Sequence, residues 1–338
     1  MTPDESSDGG ARLQPDQRGP QADRRRVRVG ISSCLLGSAV RFDGGHKRDA
    51  FLTGTFGALV EWVPVCPEVE CGLGTPRESM RLVRAGGDVR LLTIRTSVDL
   101  TDRMEAFARR RVAEVAFEGL SGYVLKKDSP SCGLERVKVY DAHGTAARTG
   151  RGLFASLLVD RFPALPVEEE GRLSDPRLRE NFVARVFAYS RLRGMFSGRW
   201  TAGDVVRFHT AHKLMLLAHS PQAYRRLGRV VARVRDVPAA AFERHYTDAF
   251  MAALSVIATP GRHTNVLQHM TGYLDGRLDR ASKAELLGTI EDYRLQLVPL
   301  IVPITMLRHH LRTHAVPYLA AQVYMEPHPR ELKLRNLV

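Results

Sequence analysis

An α/β domain followed by an all-α domain is what the sequence predicts, and three observations predict it. Up to about residue 160, short β-rich runs, each closing on a small-residue turn, alternate with helical stretches. Beyond residue 174 the apolar spacing is helical almost throughout. The chain has 338 residues, more than one typical core uses, so two domains are expected. Alternating strands and helices argue for a small, mainly parallel sheet with flanking helices. The expected divisions are a disordered leader over 1–27, the α/β domain over 28–162, a linker over 163–173 and the helical domain over 174–338.

Residues 1–27 are polar, rich in Gly, Pro, Asp and Arg, and show no periodic apolar face. Val27 to Ile31 is the first expected strand, closing on Ser32-Ser33-Cys34. Leu59 to Val65 is the second, closing on Cys66-Pro67, and Arg90 to Arg95 is the third. Residues 102–118 set Met104, Phe107, Ala108, Val112, Val115 and Ala116 on one face of an amphipathic helix. Gly122 to Leu125 is the fourth strand, closing on Ser129-Pro130-Ser131-Cys132-Gly133. Pro163, Pro166 and Glu168-Glu169-Glu170 then interrupt the pattern and mark the linker. Ser174-Asp175-Pro176 reads as a cap with Pro in the first turn, opening a helix to about Arg193, and Ser220-Pro221 repeats the signal. Further helices are expected over roughly 203–219, 222–235, 239–258, 263–277 and 281–297.

Composition narrows the class. Apolar residues make up 44% and charged residues 26%, which excludes wholesale disorder. No apolar run reaches the ~18 residues of a membrane span; the longest, Leu295 to Leu307, is broken by Gln296, Pro299 and Pro303. With no secretory pattern near Arg24-Arg25-Arg26, a cytoplasmic protein is expected. The net charge is +13, and residues 161–338 supply most of it, with 26 basic against 16 acidic side chains. Such a half either meets a nucleic acid or reflects Arg-rich composition, since 43 of the 50 basic residues are Arg.

Four cysteines in such a chain are too few for a disulfide framework. Cys34, Cys66 and Cys132 each follow an expected strand, in a turn containing Gly or Pro. In an open parallel sheet, the carboxyl ends of the strands are where ligands bind, so three distant thiols converge. No closely spaced zinc motif is present. Three thiolates without a fourth fit an iron–sulfur cluster with one open iron; three buried cysteines acting as small apolar residues are the plainer alternative.

The stretches ISSCLLGSAVRFDGGHK, VPVCPEVECGLGTPRE and KKDSPSCGL resemble the bacterial thiouracil desulfidase family. RFHTAHKLMLLAHS, RHTNVLQHMTGYL and LVPLIVPITMLRHHL resemble the YbgA-type domain often fused to it. The first resemblance implies a 4Fe-4S cluster on Cys34, Cys66 and Cys132, with the open iron taking the sulfur of a thiolated pyrimidine base or nucleoside. It also implies a general base at Glu68 and an orienting or proton-relaying hydroxyl at Ser129, giving hydrolytic desulfuration. YbgA-type domains keep genomic company with photolyase. A rival expectation is therefore a DNA-repair-related binding protein with a structural metal site and a basic helical reader of nucleic acid.

Plainer roles stand beside these. Glu68 can cap a helix after Cys66-Pro67, and Ser129 can brace the Ser-Pro turn. Arg77 can pair with Glu78 or Asp43, or hold a substrate carbonyl. Asp43-Gly44 reads as a turn bordering the site. Lys126 and Lys127 are either solvated or steer an anion. Cys71 departs from the family pattern and reads as an unligated thiol, although as a fourth ligand it would close the open iron. His209 and His212, at i,i+3, can chelate a metal but read first as packing histidines. Arg207 with His212-Lys213, and Arg262-His263 with His269, read as a polar pocket or basic face.

Overall fold

The computed structural model describes residues 26–338, apart from the side chains of residues 115–118. The expected leader therefore lies almost wholly outside the described residues, as do the side chains of Val115 and Ala116 placed on the apolar helix face.

The α/β half is built on two sheets. Sheet A is all parallel, in the order β2-β1-β5-β8, from β1 (Val27–Ser32), β2 (Val60–Val65), β5 (Tyr123–Leu125) and β8 (Val167–Glu169). A parallel sheet buries both faces. On one side Met104, Phe107, Ala108 and Val112 of α2 (Thr101–Glu118) and Phe154, Ala155 and Leu158 of α3 (Leu153–Arg161) pack with Val63, Val65, Tyr123 and Leu125. On the other, Phe182, Val183 and Val186 of α4 (Pro176–Phe196) pack with Val29, Ile31 and Val124. Leu35, Leu52 of α1 (Ala50–Thr53) and Phe56 join that second layer. Gly30 in β1 is required by contact: a Cβ there would lie 2.2 Å from the Tyr123 ring.

Sheet B, in the order β4-β3-β6-β7, is mixed. It comprises β3 (Met80–Ala85), β4 (Asp88–Thr93), β6 (Val137–Tyr140) and β7 (Ala146–Gly150). Only β4 matches an expected strand. β3 turns back into it through Gly86-Gly87, both at positive φ (60° and 98°), the hairpin geometry that glycine permits. The strands that sequence patterning did not single out are largely half-buried or exposed, so they carry no continuous apolar run.

The stretch expected as a linker is part of the sheet. Val167–Glu169 pairs in parallel with Tyr123–Leu125 as β8. Its carboxylates are used: Glu168 pairs with Arg172 at 2.7 Å. Glu169 accepts from the amides of Leu134 (2.7 Å) and Glu135 (3.3 Å), and Glu170 from the Lys127 amide (2.7 Å).

The helical half follows the sequence reading closely. α4 is capped by Asp175, which accepts from the amides of Arg177 and Leu178 with Pro in the first turn. α5 (Ala202–His219) opens on a capping box between Thr201 and Asp204, and α6 (Pro221–Ala232) is capped by Ser220. α7 (Ala239–Ser255), α8 (Pro260–Gly272) and α9 (Arg280–Arg294) come next. The apolar run Leu295 to Leu307 is interrupted as expected: α9 ends at Arg294 and α10 (Ile301–Thr313) starts past Pro299, with Pro303 in its first turn, where its missing N–H costs no helical bond. After α11 (Pro317–Ala320) the chain returns to the first half, where Leu332 and Leu334 pack into the same cluster as Val29, Leu35 and Phe182. Among the described residues, no helix is long and apolar enough to cross a membrane.

Candidate active site at the ends of the parallel strands

Strand order makes the site. Because β2, β1 and β5 are neighbours and parallel, the turns following them open on one edge. Cys34 lies in the short 3-10 turn Ser33–Leu36 after β1, Cys66 directly follows β2, and Cys132 lies in the loop after β5. All three thiols, with Glu68 and Ser129, line one cavity of about 320 Å³.

Burial sets the state of the thiols. Loss of hydration, with Cys66 nearby, pushes Cys34 up to about 11. Cys66 is raised chiefly by burial. Cys132 is raised well above the usual thiol range by burial and then by Glu68. Without a cation, these thiols stay protonated at neutral pH. Among the described residues, no three His, Cys, Asp or Glu side chains are grouped closely enough to hold a single metal ion.

Glu68 is not a helix cap; it makes no side-chain bond to a helix N-terminus. The Arg77 guanidinium grips Oε2, with Nε at 3.0 Å and Nη2 closer still, in a pair of which 7% and 14% is exposed. Arg77 is therefore not paired with Glu78 or Asp43; its Nη2 also donates to the Val40 carbonyl (3.0 Å) and Nη1 to that of Gly74 (2.8 Å). The other oxygen, Oε1, accepts from Ser131 Oγ at 2.9 Å and faces Ser129 Oγ at 3.4 Å. Ser129 Oγ meanwhile accepts from the amides of Ser131 (3.2 Å) and Cys132 (3.1 Å), so it braces the thiol loop. Sequence reasoning missed Ser131: a serine beside a cysteine carries no signal until the loop is folded.

The neighbouring motifs settle into place. The carboxylate that does cap is Glu70, whose Oε1 accepts from the Cys66 amide at 2.7 Å. Asp43 takes the Gly45 amide at 3.0 Å in a turn, and Arg41 and Phe42 beside it line the cavity. Lys126 is not solvated; it pairs with Glu170 at 2.5 Å, with 13% and 12% exposed. Lys127 is exposed and lines the cavity mouth. Cys71 is not among the cavity-lining residues; its thiol donates to the Glu68 carbonyl (3.3 Å) and its side chain packs against the α2–α3 core.

The helical-domain histidines stand apart from this cavity. His209 Nδ1 bonds the Tyr246 hydroxyl at 3.0 Å, His212 Nδ1 the Phe208 carbonyl at 2.7 Å, and His263 Nδ1 the Tyr324 hydroxyl at 2.9 Å. Arg262 donates to the His219 carbonyl (2.8 Å), and Arg207 pairs with Asp204.

Comparison with known proteins matches the two halves separately. The profile of the 2-thiouracil desulfurase family matches residues 29–170, and that of the protein family of unknown function DUF1722 matches residues 213–329. The chain is 31% identical to the uncharacterized protein YbgA of Escherichia coli (strain K12) over 161 residues, 47% of this chain and 95% of YbgA. It is 29% identical to the uncharacterized protein YbbK of Bacillus subtilis (strain 168) over 137 residues, 38% of this chain and 87% of YbbK. Among solved structures, the [4Fe-4S]-dependent thiouracil desulfidase TudS is 30% identical, with 47% of this chain covering 100% of that one at a TM-score of 0.38. The α/β half thus carries a domain that matches the 2-thiouracil desulfurase family model, and the chain belongs to the YbgA-type family through its helical half, where the DUF1722 model matches.

Proposed function

We propose that this protein hydrolyses the thiocarbonyl of a pyrimidine base or nucleoside, exchanging C=S for C=O with water and releasing sulfide. The carrying observation is one cavity lined by three thiols and by a carboxylate held in place by Arg77 and Ser131. The family model matched by the α/β half supports the same chemistry.

The donor set fits an iron–sulfur cluster. Cys34, Cys66 and Cys132 line one cavity, and Cys71 is not among its lining residues. A polynuclear cluster takes each thiolate on a separate iron, and soft thiolates select it. Cys34, Cys66 and Cys132 would hold a 4Fe-4S cluster, leaving one iron without a protein ligand. When bound, such a cluster supplies a sulfur-seeking Lewis acid.

The chain's own residues supply the rest. Arg77 fixes Oε2 of Glu68, leaving Oε1 to face the serines and the cavity. From there Glu68 takes a proton from water as the oxygen attacks the carbon bearing sulfur. Ser131 orients the carboxylate, and Ser129 holds the Cys132 loop through its two amide bonds. Phe42, Met80 and Pro130 give the cavity an apolar wall suited to a planar ring.

A second reading concerns the helical half. Arg225, Arg226, Arg229, Arg233 and Arg235, on α6 and the turn after it, are all exposed. None has an acidic partner within ion-pair distance in the described structure. That face suits a polyanion, so the helical half would hold a nucleic acid and present its thiolated base to the cavity. Phosphate contacts would make this binding fall steeply with salt, whereas turnover of a neutral thiopyrimidine would not respond.

The test is turnover of 2-thiouracil and 4-thiouridine by anaerobically purified protein, read as loss of thiocarbonyl absorbance and release of sulfide. One carbonyl product and one sulfide per substrate are expected. Cluster-loaded protein that releases no sulfide from either would overturn the reading.

A further inference from the structure

Ser32 closes β1 at the point where its pairing with β5 ends. The ladder runs through Gly30 beside Tyr123 and Ile31 beside Val124. Past it, the Lys126 amide finds its acceptor on a side chain, Ser32 Oγ at 3.0 Å, rather than on the β1 backbone. The loop that carries Cys132 thus leaves the sheet tied to β1 by one hydroxyl.

A serine hydroxyl accepts through its lone pairs and still has one proton to give. Ser32 is 2% exposed, so that proton needs a partner inside the protein. Ser32 lines the thiol cavity, and the sulfur of Cys132, itself 6% exposed, takes the hydrogen bond. Burial, Glu68, Cys34 and Cys66 all work against negative charge on that sulfur, and the Ser32 hydroxyl works for it. Ser129 acts differently: it accepts from the backbone of the Cys132 loop and faces Glu68. Hydrogen bonds to ligand sulfurs withdraw electron density from a bound iron and so shift its reduction potential.

We propose that Ser32 is a positioning residue for the cofactor: its hydroxyl donates to the Cys132 sulfur and raises the reduction potential of the cluster that Cys132 would help to hold. The assignment rests on the desulfurase reading for the presence of an iron–sulfur cluster in the cavity. One side chain then does two jobs, fixing the start of the Cys132 loop through the Lys126 amide and tuning the sulfur at its far end.

Full-length, anaerobically purified and cluster-loaded wild type, Ser32→Ala and Ser32→Thr are titrated with a reductant, and the visible and electron paramagnetic resonance spectra are read at each potential. At a fixed potential Ser32→Ala should hold about tenfold less reduced cluster than wild type, a shift of about 59 mV for one electron. Ser32→Thr keeps the hydroxyl and should restore the wild-type ratio. A merely structural serine would change stability or iron content and leave the potential of the loaded cluster alone. Should Ser32→Ala fail to fold, the wild type still decides. Brief transfer to deuterated water exchanges a hydroxyl before buried amides, so electron–nuclear double resonance of the reduced cluster should show a coupled deuteron. Absence of that deuteron, an unchanged potential in Ser32→Ala, or a potential as low in Ser32→Thr as in Ser32→Ala would each overturn the role. Sulfide release by wild type with an unchanged potential in Ser32→Ala removes the Ser32 role alone. A lowered potential in Ser32→Ala without sulfide release by wild type removes the desulfurase reading and leaves the Ser32 role standing. No cluster in wild type removes both.

Discussion

Glu68 is gripped from both sides, by Arg77 at one oxygen and by Ser131 at the other. If it takes the proton from water, Glu68→Gln keeps the shape and the iron but loses turnover by about 100-fold or more. Unchanged turnover at full iron content would end that role. The two serines separate by what they touch. Ser131→Ala removes the 2.9 Å bond to Glu68 and should lower turnover about tenfold with iron retained. Ser129→Ala leaves the amides of Ser131 and Cys132 without their acceptor and should cost about 1–3 kcal/mol of stability in denaturant titrations. Equal losses of activity and stability in both variants would contradict this division. At this scale the thiols were legible in the sequence, because cysteines in turns after strands stand out. Glu68 and Ser129 came only from resemblance. The Arg77–Glu68 pair was not legible, since it joins positions nine apart across a turn whose path no local pattern fixes. Ser131 was hidden for the same reason.

The three glutamates after Pro166 show what patterning misses at the scale of elements. A charged run flanked by prolines reads as a linker, yet each carboxylate ends on a partner that tertiary folding brings to it. Glu169 secures the start of the segment after Cys132 through two amides, and burial raises its carboxyl above the ordinary range. Glu169→Ala should therefore destabilise the protein by about 1–3 kcal/mol, measured by denaturant unfolding. A loss within about 0.5 kcal/mol, the size of a surface change, would show that the amides find other acceptors. Helices α4 to α9, in contrast, were readable nearly end to end, with Asp175 and Ser220 as local cap signals; α10 was not among the expected helices. Strands β3, β6, β7 and β8 were not. Their side chains are half-exposed or charged, and their pairing is decided by distant partners.

The two halves are joined through α4 and the C-terminal segment. Phe182, Val186, Leu332 and Leu334 share one cluster with Leu35, the neighbour of Cys34. Arg335 is buried between the Glu180 carboxylate (3.3 Å) and the Tyr324 carbonyl, holding that segment down. The helical half also stores an acid sensitivity. Burial lowers His209 to about 4, and His212 and His263 to about 3, so the fold keeps all three neutral. The unfolded chain protonates them below about pH 6.5, whereas the folded chain does not until near pH 4 or 3. Stability should thus be full above pH 7 and fall by up to about 4 kcal/mol per pH unit between pH 6 and 4.5. Denaturant unfolding at stepped pH checks this, and a flat profile down to pH 5 would contradict it. On the proposed function, Cys34, Cys66 and Cys132 together hold an iron–sulfur cluster. Iron and acid-labile sulfide analysis of anaerobically purified wild type and Cys132→Ser, with the visible spectrum, tests it most directly. About four iron and four sulfide per wild-type chain are predicted, with the cluster lost from a Cys132→Ser variant whose helical half stays folded. Zinc or no metal in the wild type after anaerobic reconstitution, or a full cluster in Cys132→Ser, would contradict the claim.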